Sequence, residues 1–166
     1  HVDPDFAVGD IALAAGPQSA GIDTFYITII GQGGHGATPE ETIDPIYIAG
    51  HVILALNAII SRRRSPLQPA VISIGSIQGG GTDNVIPDRV RLSGTIRYLA
   101  PAMQTLLHNE IARALELTRA LGGDYERRIE SGGGPMIGDP GVVEVVRGAA
   151  GDLLGPGHVL LPEEDM

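Results

Sequence analysis

Gly31-Gln32-Gly33-Gly34-His35-Gly36-Ala37-Thr38-Pro39 separates an alternating apolar run, Thr24 to Ile30, from a long apolar run that begins near Asp44. The first run has the period of a strand and the second the length and capping of a helix, so the stretch is a β-to-α junction. A single histidine stands in it. The glycines allow positive φ and leave little bulk beside the imidazole, so His35 is expected to be presented rather than packed. A presented histidine can donate or accept a hydrogen bond near neutral pH, which makes His35 a candidate catalytic or ligand-binding group. Gly31, Gly33 and Gly36 also match the spacing of a dinucleotide-binding loop. That loop must open a helix directly and be followed about 20 residues on by an acid. Here Pro39 intervenes, and the next strand ends in Ser76-Ile77-Gln78-Gly79 without an acid, so nucleotide binding is not expected.

Outward from the junction, the chain alternates cleanly. Thr24 to Ile30 places Phe25, Ile27 and Ile29 on one face and Tyr26, Thr28 and Ile30 on the other. Asp44-Pro45 is an N-cap followed by proline at the first helical position, and the helix is expected to reach about Arg63. Ile46, Ala49, Ile53, Leu56 and Ile60 form one stripe on it. Tyr47, Ile48, Val52, Ala55 and Ile59 make most of the remainder apolar too. A surface helix needs only one such stripe, so burial on two sides is expected, by its own sheet and by a partner chain. His51 and Asn57 are read as interface or solvent-facing residues.

Ala70 to Ile77 reads as a second strand, followed by the glycine-rich loop Gly79 to Asn84, closed by Pro87. Arg89 to Leu99 is a third strand, with Val90, Leu92, Ile96 and Tyr98 on one face. Arg89, Arg91, Ser93, Thr95 and Arg97 occupy the other, so that face of the sheet is expected to lack helices and to be wet or ligand-facing. Pro101 to Leu121 is a second helix with a single apolar stripe, on which His108 reads as a surface residue. Gly122-Gly123 stops it, and Asp124 to Glu130 is a fourth strand. The order strand, helix, strand, strand, helix, strand predicts an α+β fold, a ferredoxin-like two-layer sandwich (βαββαβ), with two helices on one face of a four-stranded antiparallel sheet. Before it, Asp10 to Ala14 reads as a short strand. After it come a helix over Asp139 to Leu154 and a short connection over Gly155 to Pro162.

The 166 residues suffice for one domain with a core, or for one domain plus parts of another. There is no cysteine, hence neither a disulfide nor a thiolate metal ligand. There is no lysine, and every basic residue other than histidine is arginine. A net charge of −9 argues against a nucleic-acid partner, and 4% aromatic residues are too few for base-stacking platforms. The apolar run Ile46 to Ile60 is shorter than a membrane span. Asp3 and Asp5 stand where a secretory leader would be basic. A soluble cytoplasmic protein without membrane contact is the expectation. Both ends of the sequence read as cuts from a longer chain.

At Gly33-Gly34-His35-Gly36-Ala37-Thr38-Pro39 with Asp44-Pro45-Ile46, the sequence resembles the lid, or dimerisation, domain of the dinuclear-metal exopeptidases and aminoacylases. The nearest branch is the amidohydrolases acting on N-acyl amino acids, hippurate and auxin conjugates. Gly80-Gly81-Thr82-Asp83-Asn84-Val85-Ile86-Pro87, Gly94-Thr95-Ile96-Arg97 and His1-Val2-Asp3-Pro4 resemble three further family segments, in family order. The resemblance implies hydrolysis of an amide bond of an N-acyl amino acid or small peptide by water bound to two divalent metal ions, zinc, manganese or similar. It makes His35 the residue that reaches the active site of the other subunit and donates to the oxyanion. It makes Asn84 and Arg97 the residues that hold the substrate carboxylate, and His1 a metal ligand. It also implies a homodimer, expected through helix 44–63 and edge strand 70–77. The expected organisation is catalytic-domain edge over 1–22, lid over 23–136 and returning catalytic domain over 137–166. The Cys-Gly-His-Asp segment, the Glu-Glu pair and the last metal-binding histidine of the branch are absent, so this piece is expected to be inactive alone. A peptide or carbamoyl substrate is a variant of the same reading. A free-standing ferredoxin-like module that dimerises or binds a ligand without catalysis is the alternative.

Overall fold

The structure is a computed structural model that describes residues 5–161. The chain divides into two compact units. One is Gly21–Gly134, and the other is made of the two flanks, His1–Ala20 and Pro135–Met166.

The continuous unit runs β1 (Gly21–Ile30), α1 (Pro45–Arg62), β2 (Ala70–Gly79), β3 (Arg89–Tyr98), α2 (Pro101–Ala120) and β4 (Asp124–Gly133). The four strands form one sheet in the order β2-β3-β1-β4. Every neighbouring pair is antiparallel. Gly21 lies opposite Tyr98 and Ile30 opposite Arg89. β2 bulges between Ile74 and Ser76 and stands at one edge of the sheet.

Odd-numbered residues of β1 and even-numbered residues of β3 point to the same buried face. Phe25, Ile27, Ile29, Val90, Leu92, Ile96 and Tyr98 there join residues of both helices in one core. The opposite face of β3 carries Arg89, Arg91 and Arg97, all exposed, as the alternation predicts. β1 begins at Gly21, three residues before the expected start, and β4 continues to Gly133.

Helix α1 is capped as its sequence predicts. The Asp44 carboxylate accepts from Ile46 N at 2.8 Å and Tyr47 N at 3.3 Å. Its buried stripe differs from the expected one. Ile48, Ala49, Val52, Leu56 and Ile59 face the core, whereas Ile46, Tyr47 and Leu54 are 48%, 58% and 70% exposed. On a helix apolar all round, periodicity cannot choose the inward face; the sheet does. By length and composition α1 could also cross a membrane, with 18 residues and a mean hydropathy of 1.4. In this unit its inward stripe is core. Helix α2 buries Met103, Leu107, Ile111, Leu115 and Thr118. It ends at Gly122, whose φ of +89° suits glycine, and Gly123 N donates to Thr118 O at 3.0 Å.

In the flanking unit, Ile11–Ala12 pairs in parallel with Val159–Leu160, and Gly16–Ser19 pairs antiparallel with Met136–Gly138. These contacts join segments far apart in sequence. Helix α3 (Pro140–Leu154) is capped by Asp139, which accepts from Val142 N at 3.0 Å. Arg147 Nη2 donates to Leu13 O at 3.1 Å, and His158 Nδ1 lies 2.7 Å from Asp10 Oδ1.

Candidate functional site

The junction after β1 folds into a turn bound on two sides. Gly34–His35 forms a short antiparallel pair with Val85–Ile86. Gly31 N donates to Asp88 O at 2.8 Å, Gly33 N to the Asp88 carboxylate at 2.9 Å, and Gly36 N to Asn84 O at 2.8 Å. Gln32 and Ile43 exchange backbone hydrogen bonds of 2.9 Å in each direction. The turn is therefore clamped between the Asn84–Asp88 segment and the approach to α1.

The glycines serve this clamp differently from the sequence expectation. None of Gly31, Gly33, Gly34 or Gly36 has positive φ. What excludes a side chain is close approach. A Cβ at Gly31 would overlap the Ile43 carbonyl oxygen, and one at Gly33 the Ile86 carbonyl oxygen.

His35 is exposed at the tip of this clamp. Its Nδ1 accepts from Ala37 N at 3.1 Å, and its carbonyl accepts from Thr38 N at 3.0 Å. Asn84 is exposed beside it and shares the clamp through its backbone. Arg97 is not brought to them. It lies on the helix-free face, opposite Ile22 of β1 and Val71 of β2. Eight residues of strand separate it from Arg89 at the turn end, about 26 Å at ~3.3 Å per residue. It is exposed and has no ion-pair partner among the described residues. His1 lies outside the described residues.

The described residues include no cluster of three His, Cys, Asp or Glu that could hold a metal. A dinuclear centre thus does not fit within residues 5–161.

One polar cluster escaped the sequence reading. Asp23 has no exposed surface, yet it is in phase with Phe25, Ile27 and Ile29. Its carboxylate accepts from Gln104 Nε2 at 3.0 and 3.1 Å and from Tyr98 OH at 3.3 Å, and lies 2.6 Å from His108 Nε2. His108, expected on the surface, is instead turned into the sheet–helix interface. Burial pushes the Asp23 carboxyl up, but hydrogen bonds from Gln104, His108 and Ser131 outweigh it and hold the group below its ordinary value. The usable sequence signal was an aspartate in the core phase of a strand, which must find partners.

Residues 18–118 match the peptidase dimerisation domain family. The chain is 37% identical over 151 residues to an N-acetyl-L-cysteine deacetylase of Bacillus subtilis, covering 90% of this chain and 36% of that protein. It is 38% identical over 155 residues to an N-acyl-L-amino acid amidohydrolase of Geobacillus stearothermophilus, covering 87% of this chain and 42% of that protein. Among solved structures it resembles a dinuclear metal binding peptidase from the M20 family of Bacillus subtilis. There the TM-score is 0.76 at 28% identity, over 99% of this chain and 40% of the other. The chain thus spans less than half the length of these relatives. The relatives are hydrolases of amide bonds, as the four resembling segments imply. The chain belongs to the peptidase dimerisation domain family.

Proposed function

We propose that this chain is the lid of a cytoplasmic, metal-dependent amidohydrolase that cleaves N-acyl amino acids or small peptides. In this reading Gly21–Gly134 is the lid, each end two residues earlier than the 23–136 expected from sequence, and it has the ferredoxin-like arrangement. The flanks belong to a catalytic domain that supplies the donors for two divalent metal ions, whose chemistry is to activate water and polarise the scissile carbonyl.

The observation that carries the reading is the clamp that presents an exposed His35 on a turn whose Gly31 and Gly33 are packed too closely against backbone for a side chain. A histidine so held is preorganised to donate a hydrogen bond to an oxyanion. Asn84 stands beside it as a polar contact for the substrate. Arg97 offers a planar fork to the substrate carboxylate. Arg97 stands about 26 Å along β3 from Arg89 at the turn end. In this reading His35 serves the active site of the other copy, and each active site draws on two copies.

Two copies would meet through the outward stripe of α1, with Ile46, Tyr47 and Leu54, and through edge strand β2. An exposed apolar stripe beside an unpaired strand edge is the kind of surface a second copy covers. The reading is tested by His35→Ala in the full-length enzyme. Turnover should fall about 10²–10³-fold, the usual effect of deleting an oxyanion donor, with metal content unchanged. Unchanged turnover would remove His35 from the mechanism.

A further inference from the structure

The two ring nitrogens of His35 are not equivalent. Ala37 N–H donates to Nδ1 at 3.1 Å. A nitrogen that accepts such a bond holds a lone pair, and a proton there would face a second N–H. A neutral imidazole carries one proton, which then belongs on Nε2. Among the described residues Nε2 has no hydrogen-bond partner, and the residue is exposed.

We propose that the backbone of the turn fixes neutral His35 in the Nε2–H tautomer, making it a dedicated hydrogen-bond donor to a ligand oxygen. The use of that donor rests on the function proposed above; the tautomer does not. With Nδ1 occupied and Nε2 protonated, neither nitrogen is free to take a proton. His35 is thereby a donor and not a general base.

The lock depends on where the turn holds Ala37. Gly33 N–H and Gly31 N–H are both anchored on Asp88, before His35, and Gly36 N–H is anchored on Asn84, after it. These bonds flank the residue and set the short reach from its side chain to the amide two positions on. Asp88 is thus a positioning residue for His35.

The test is a long-range proton–nitrogen correlation spectrum of this chain with 15N throughout, at a pH where the imidazole is neutral. His35→Gln assigns the signals. In the fold, His35 should show a pure Nε2–H pattern and a trans-hydrogen-bond 15N–15N coupling between the Ala37 amide and Nδ1. In urea the pattern should collapse to that of a free, averaging imidazole, without the coupling. An Nδ1–H pattern, or a folded spectrum identical to that in urea, would overturn the proposal. If the coupling is present but His35→Ala leaves turnover of the full-length enzyme intact, the tautomer lock stands and the oxyanion reading fails.

Discussion

His108 Nε2 stands 2.6 Å from Oδ2 of Asp23, a carboxylate with no exposed surface, and ties α2 to the first residues of β1. Gln104, one helical turn before His108, holds the same carboxylate. Deleting Asp23 leaves four polar groups, Tyr98, Gln104, His108 and Ser131, without their shared acceptor. Asp23→Ala should therefore cost about 3 kcal/mol of stability, read from urea denaturation midpoints. The native Asp23 carboxyl titrates below its ordinary value, so the stability it contributes is present above pH ~4. It is lost as pH falls through the lower, folded value. The stability gap between the natural chain and Asp23→Asn should close on acidification through that window. A gap that stayed constant from pH 6 to below 3 would show that the carboxylate charge is not what the cluster stabilises.

The strand–helix order was legible because alternation and helical stripes are local signals. Asp44, Pro45 and Gly122 marked helix ends for the same reason. The inward face of α1 was not legible, since Ile46, Tyr47 and Leu54 look as buriable as Ile48 and Val52. Nor was the Asp23–His108 pair, whose members are 85 positions apart and meet only once the sheet and α2 are packed. At the turn, the sequence located His35 and Asn84, but its reason for the glycines was wrong. They answer close backbone approach, which depends on where Ile43 and Ile86 arrive in three dimensions. Resemblance sent His35 to the active site of the other subunit and gave Asn84 and Arg97 the substrate carboxylate; the register of β3 puts Arg97 at the strand end away from His35 and Asn84 of the same copy.

Leu54 is 70% exposed on the outward stripe of α1. If a second copy covers that stripe, Leu54→Asp buries a charge in an apolar interface and loses the contact of one leucine. The dimer should weaken by roughly tenfold to a hundredfold, from about 1.5–3 kcal/mol of lost burial. The thermal midpoint of the monomer should stay nearly fixed, because the side chain touches no core of its own copy. Sedimentation across a concentration series decides this. A dimer of unchanged affinity would move the interface elsewhere.

Arg97 is exposed on the helix-free face and has no ion pair among the described residues. Its loss should cost little stability and should act on substrate alone. In the full-length enzyme, Arg97→Ala should raise KM roughly tenfold to a hundredfold for substrates with a free carboxylate, the value of a charge-assisted pair. C-terminally amidated analogues should be nearly indifferent to the change. Equal losses on both series would count against a carboxylate role.

Gly33 and Gly81 offer a matched pair of substitutions. A Cβ at Gly33 would overlap the Ile86 carbonyl oxygen, whereas one at Gly81 would meet nothing within 4 Å, and neither glycine has positive φ. Gly33→Ala must therefore push the turn off the Asn84–Asp88 segment and break the Gly33–Asp88 bond that precedes His35. The core, built from β1, β2, β3, α1 and α2, includes neither glycine. In the full-length enzyme Gly33→Ala should lower kcat toward the level of His35→Ala while the thermal midpoint moves by only a few degrees. Gly81→Ala should leave both unchanged. If the two alanine variants turn over substrate equally well, the close-packed clamp is not what places His35, and its geometry must be set by the helix side of the turn through Gln32 and Ile43.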